Sequence, residues 1–274
     1  MLLCLQVNGT GELLPEGTVD LVMRRHLFPV GMRMFTQRMA AAEGVTDAGY
    51  PSYNTYLDYH GYLDALAAHF WAGTIAKQMI WANYEPTSGD YSAPLKAMEH
   101  TLTWMDDNHW MLPAATLFGD EALDPEHFAT HLPCTQLGHR LNQRIVRDLH
   151  AFHGKISLYE VWPAGLHLND VGTGTCGESM PQLLSDVFNQ ALTSDPHALL
   201  CPAASGLLTG TPTAVNVFAR LVHGLQHNKV PLRAICVKAD FEGAVDATIV
   251  KHRLDILAQV QLPIYVTAPD LTLL

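Results

Sequence analysis

Residues 137–162 read LGHRLNQRIVRDLHAFHGKISLYEVW, and the two halves of this stretch follow different periods. Leu137, Leu141, Ile145 and Leu149 recur every four residues, which lines one face of an amphipathic helix. Ile156–Trp162 is a short apolar run after Gly154-Lys155, the pattern of a buried strand. A helix that feeds a strand through a glycine turn is the repeating step of a parallel sheet.

The same alternation extends in both directions. Met180, Leu183, Leu184, Val187, Phe188 and Ala191 form a second helical stripe, opened by Ser179 and Pro181. Thr211-Pro212 opens a third, with Val215, Phe218, Val222 and Leu225 on one face. Val245, Ile249, Leu254, Leu257 and Val260 make a fourth, and Tyr56–Phe70 and Leu95–His109 add two more. Between them the strand candidates are Leu27–Met32, Thr74–Trp81, Leu112–Phe118, Ile156–Trp162, Ala198–Cys201, Ala234–Lys238 and Ile264–Thr267. Seven strands with a helix in every gap imply an α/β fold, a TIM-like (β/α)₈ barrel with its eighth strand missing. The rival is a doubly wound nucleotide-binding sheet. Gly172-Thr173-Gly174 lies mid-chain and lacks the third glycine of that fingerprint, so the barrel is preferred.

Composition narrows the function. The chain has 274 residues, a net charge of −11, 48% hydrophobic residues and only 16% charged ones. Such a chain has a core to bury, which excludes disorder. Its acidity, with no basic run, argues against nucleic acid as a partner. The longest uncharged stretch is broken by Pro202, Gly206, Gly210 and Pro212, so no membrane span is expected. Met1–Val7 is too short for the apolar core of a signal peptide, and no compartment is assigned. Cys4, Cys134, Cys176, Cys201 and Cys236 are widely spaced with no Cys-x-x-Cys, so neither a zinc site nor a disulfide framework is expected. The histidine pairs His127/His131, His150/His153 and His223/His227 lack the His-Glu-x-x-His pattern, and no metal or cofactor is expected.

Several segments resemble, in order and with compatible spacing, the family 10 glycoside hydrolases, the xylanase family in its plant and animal form. Phe28-Pro29-Val30-Gly31 is similar to its first strand, and Trp81 with Glu85-Pro86-Thr87-Ser88-Gly89-Asp90-Tyr91 to its second strand and following turn. Thr116-Leu117, Arg144-Ile145-Val146 through Lys155-Ile156, and Asp195-Pro196-His197-Ala198-Leu199 resemble the runs into strands three, four and five. Lys229-Val230-Pro231 through Ile235, and Leu262 through Asp270, resemble strands six and seven. The resemblance covers about residues 26–270 and implies two segments: a barrel at 26–274, and an N-terminal extension at 1–25 that ends a preceding segment. It also implies a polysaccharide of xylan type as partner, and an extracellular setting.

The site departs from the family. These are retaining glycosidases that need an acid/base and a nucleophilic carboxylate about 5–5.5 Å apart. The resemblance places the acid/base at Ala164, preceded by Pro163, and the nucleophile at Ala268. Alanine can neither hold the proton nor attack the sugar. The sugar-binding run of strand two reads Lys77-Gln78-Met79-Ile80-Trp81, that of strand three Ala114-Ala115-Thr116-Leu117, and that of strand six Lys238-Ala239-Asp240. Glu160, Trp81, Lys238 and Asp240 are the remaining candidates to bind a ligand, and each has a packing or ion-pair reading beside it.

Three functions follow as expectations. The first is a xylanase-like barrel that no longer catalyses and binds glycan or serves as a scaffold. The second is a weak glycosidase with substitute carboxylates Glu160, Asp240 or Glu178. The third is a truncated product without activity. A missing eighth strand would also leave the first and seventh strands open to self-association.

Overall fold

In the computed structural model the residues described are 31–34, 36, 39, 59–75, 77–85, 89–118, 133–163, 180–242 and 245–272. The helix that opened the sequence reading is α4, Cys134–Ala151, and its predicted stripe of Leu137, Leu141, Ile145 and Leu149 is buried. The strand it feeds is β4, Leu158–Pro163. The other strands are β1 Gly31–Met34, β2 Ala72–Ile75, β3 Leu112–Thr116, β5 Leu199–Ala204, β6 Ile235–Glu242 and β7 Ile264–Thr272. All seven pair in parallel, in chain order, as an incomplete (β/α)₈ barrel. Each gap between strands holds a helix: α1 Tyr59–His69, a short α2 Trp81–Tyr84 with α3 Ser92–Asp107, α4, α5 Met180–Ser194, α6 Pro212–His227 and α7 Ala247–Ala258. Among the described residues no helix is long and apolar enough to cross a membrane.

Glycines set the close approach of the first strands. A Cβ on Gly73 would lie 2.6 Å from the Trp110 ring. That ring is itself packed edge-on against Trp104 at 5.4 Å and cannot easily retreat. Gly73→Ala should therefore destabilise the protein by about 1–3 kcal/mol, as overpacking does. A urea titration checks this, and an unchanged midpoint would refute it.

Several expectations need correction. The second strand does not run to Trp81. It ends at Ile75, and a 3₁₀ turn at Lys77–Met79 leads to α2, which Trp81 begins. An apolar run suits an extended strand equally well, but here the Trp81 indole is drawn back to Glu85 one helical turn later. The stripe expected for α7 holds only in its second half, where Leu257 and Val260 are buried. Val245 and Ile249 are 44% and 47% exposed, while Arg253 is buried and donates to the Leu207 and Gly210 carbonyls at 3.0 and 2.6 Å. Asp246 caps this helix by accepting from the Thr248 and Ile249 amides, which fixes its start.

The cysteines also depart from the expectation of no disulfide framework. Cys201 on β5 and Cys236 on β6 form a buried disulfide with their Cα atoms 5.8 Å apart. Ala203 stands opposite Cys236 in the register, so Cys201 lies one pleat away, within bridging reach. Cys134 is disulfide-bonded too. Spacing along the chain cannot show this, because neighbouring parallel strands are a helix apart in sequence.

The gap left by an eighth strand is narrower than expected. β1 and β7 come within 8 Å of each other, Cα to Cα. An intervening strand needs two strand spacings, roughly 9.4–9.8 Å. The ladder nevertheless runs from β1 to β7 without closing into a hydrogen-bonded ring among the described residues.

Candidate functional site

Catalytic groups of (β/α)₈ barrels stand at the C-terminal ends of the strands. Two such ends are irregular here. Between Glu160 and Trp162, β4 carries one residue more than β5, and between Thr267 and Asp270, β7 carries one more than β6. Proline explains both places. Pro202 stands opposite Trp162, and Pro269 lies within the shifted segment of β7; neither has an N–H for the ladder. Bulges of this kind re-aim the strand tips at a barrel rim. They fall on the two strands where the resemblance puts acid/base and nucleophile.

Glu160 is the chemical centre of the sheet's hollow. It is fully buried on β4 and accepts from the Thr116 hydroxyl of β3 at 2.5 Å and from the Thr267 hydroxyl of β7. Since β7 lies three strands away, only a curled sheet brings these side chains together. Lys238 stands opposite Thr267 in the register and is half-buried. The backbone of Asp240 lies two residues further along β6, opposite Asp270. Ala268 belongs to β7, but the side chains of Asp240, Pro163 and Ala268 lie outside what is described, as do all of Ala164 and Glu178. The structure thus unites Glu160 with Thr116 and Thr267, contacts that residue spacing had not suggested.

Trp81 belongs to another cluster. It is 5% exposed, donates its indole N–H to Glu85 at 3.2 Å and meets Phe118 edge-on at 6.2 Å. Phe118 in turn packs against Trp162 at 5.7 Å. Beneath these rings Arg144 is buried, with its guanidinium carbon 5.4 Å from the Trp81 ring centre and 5.2 Å from that of Phe118. Arg144 donates to Asp148 at 2.9 Å and to the Met79 carbonyl. Arg147 donates to Asp148 at 2.6 Å and to Glu85 at 2.9 Å, and lies over Tyr91 at 4.1 Å. Arg144 and Glu85 belong to the segments that resemble the family, but the resemblance assigns them no role. The signal was an arginine and an aspartate four apart on an otherwise apolar stripe.

Burial lowers the proton affinity of the Arg144 guanidinium, and Asp148 only partly opposes this. Burial also acts on Arg147, but Asp148 and Glu85 outweigh it and raise its value. For Glu85, burial favours the neutral acid, yet the Gly89 amide at 2.7 Å and Arg147 prevail and hold it below its ordinary 4.5. A carboxylate with a lowered value stabilises the fold fully above pH 4.5, and loses that contribution as pH falls through the lowered value. Glu85→Gln should therefore cost stability at pH 7 and little at the bottom of the acid limb. Urea titrations across the acid range test this, and an equal loss at every pH would contradict it.

Between α4 and the turn after β2 lies a cleft of about 670 Å³, lined by Trp81, Glu85, Gln136, Arg140, Arg144 and Arg147 among others. No cluster of three or more His, Cys, Asp or Glu side chains fit to hold a metal occurs among the described residues.

No protein-family model matches the sequence, and no curated protein does. Solved structures do match. Xylanase 10B from Thermotoga petrophila, in complex with xylobiose, superposes with a TM-score of 0.71 at 17% identity, over 90% of this chain and 73% of that one. Native xylanase 10B from Thermotoga maritima gives 0.66 at 20% identity, over 78% and 66%. The chain has the fold of the family 10 xylanases. The intracellular xylanase TsXylA from Thermoanaerobacterium saccharolyticum, a mutant bound to xylotriose, gives a TM-score of 0.67 at 18% identity over 88% and 72%. The chain spans about two thirds of the length of these xylanases, 66% of the Thermotoga maritima enzyme. The expected family 10 barrel is therefore seen in the fold.

Proposed function

We propose that this family 10 barrel binds a xylan-type glycan, or serves as a scaffold, without hydrolysing it. The observation that carries the reading is the state of Glu160. It is the carboxylate nearest in sequence to the acid position, yet it has no solvent exposure and both its oxygens accept from threonine hydroxyls. A general acid must reach the leaving oxygen directly or through one water. By the family resemblance, alanine at 164 and 268 stands where the two family carboxylates would be. The xylobiose and xylotriose held by the similar structures support a glycan as the ligand class.

Isothermal titration with xylotriose, beside a reducing-sugar assay on xylan, tests the reading. Binding with no release above a heat-killed control is the expected result. Ala268→Glu alone should not create activity, because position 164 still lacks a proton donor. Release of sugar by the unchanged protein, lost in Glu160→Gln, would instead establish the substitute-carboxylate enzyme. Self-association through the β1–β7 seam is a separate proposal, and a monodisperse monomer on size-exclusion chromatography would end it.

A further inference from the structure

The cleft beside α4 differs in character from the rest of this acidic chain. Arg140, Arg144 and Arg147 fall at helical spacing along α4 and all line it. They converge there in a protein with 16 basic and 27 acidic side chains. The first turn of the same helix supplies Thr135 and Gln136 to the cleft wall. That turn holds no acidic residue and no side-chain cap, so the positive end of an 18-residue helix borders the space with no acidic side chain in its own first turn. A second, independent observation points the same way. Arg144 is 2% exposed, and among the described residues its Nη1 has no hydrogen-bond partner, nor does Nη2 of Arg147. Asp148, Glu85 and the Met79 carbonyl engage the other guanidinium nitrogens of this pair.

We propose that this cleft binds an oxyanion: the carboxylate or sulfate of an acidic saccharide, or a free inorganic anion. The planar guanidinium fork and the helix end both favour that group over a neutral sugar hydroxyl. The proposal does not rest on the glycan reading of the barrel mouth, because the cleft is built by α4 and the turn after β2.

The test titrates the full chain with sodium sulfate, with trigalacturonate and with neutral xylotriose at low and moderate salt. Two variants accompany it. Arg140→Gln removes one guanidinium from the wall. Thr135→Asp puts a carboxylate in the first helical turn, where it suits the helix dipole and so leaves the fold intact. The expected result is anion binding that weakens with salt, and that falls about tenfold or more in both variants. Trigalacturonate binding well above sulfate would identify the saccharide source, and equal binding the free anion. The proposal is overturned if neither anion binds, or if the Thr135→Asp protein, folded by circular dichroism, binds them as the wild type does. Xylotriose binding at the mouth should be untouched by both variants, so loss of anion binding with xylotriose binding kept supports the cleft, and anion binding absent while xylotriose binds ends the cleft proposal and leaves the mouth reading standing.

Discussion

Arg144→Ala will cost about 3–5 kcal/mol, the range found when one partner of a buried ion pair is removed. A single domain has only ~5–15 kcal/mol in all. Arg144 is 2% exposed, and its partner Asp148 has no exposure at all. Without the guanidinium, Asp148 keeps Arg147 alone at 2.6 Å, and the Met79 carbonyl loses its donor. The rings of Trp81, Tyr84 and Phe118 then face a cavity where a cation had been. Arg144→Met separates these effects, since it fills much of the space and leaves only the charge unmet. Urea denaturation of both variants should show alanine as the worse, with methionine still well below wild type. A loss under about 1 kcal/mol for alanine would mean that the surroundings relax, and that the network is no keystone.

Breaking the Cys201–Cys236 bond comes next in size. It closes a loop with a sequence separation of 35, for which chain entropy alone gives about 3–4 kcal/mol. Both sulfurs are buried beside Ala114, Leu158, Ala203 and Ala234, so the bond is out of reach of mild reductant in the native state. The double variant Cys201→Ala/Cys236→Ala should unfold at markedly lower urea than the oxidised wild type. Wild type unfolded and refolded in reductant loses the Cys134 disulfide as well, so it should unfold at or below the urea midpoint of the variant. If the variant and the oxidised wild type melt together, the strands are held by packing and the bond adds nothing. Such bonds persist in oxidising surroundings, so this contribution depends on where the chain folds.

Periodicity made most of the architecture legible. The stripe at Leu137, Leu141, Ile145 and Leu149 and the run from Leu158 to Trp162 are local patterns, set by which side of a helix or strand is dry. What escaped was long-range. Nothing near Cys201 announces Cys236, and nothing near Glu160 announces Thr267, more than a hundred residues on. Trp81 misled because an apolar residue serves a strand or a helix equally well; its indole bond to Glu85 decides the matter. The alanines at 164 and 268 were readable only through the family resemblance, since alanine carries no chemical signal of its own.

The nearness of β1 and β7 bears on how the molecule comes together. Each of the six hydrogen-bonded strand pairs joins consecutive strands. The seam between β1 and β7 brings together segments separated by more than two hundred residues of chain. Loop closure over such a span is entropically expensive, and contacts of high sequence separation form late. The sheet should therefore assemble by accretion of neighbouring βα units, with the two ends meeting last. By the same logic they part first. Native-state hydrogen exchange should find the amides of β1 opening at lower free energy than those of β4 or β5, so the protein breathes along one seam while its middle stays shut.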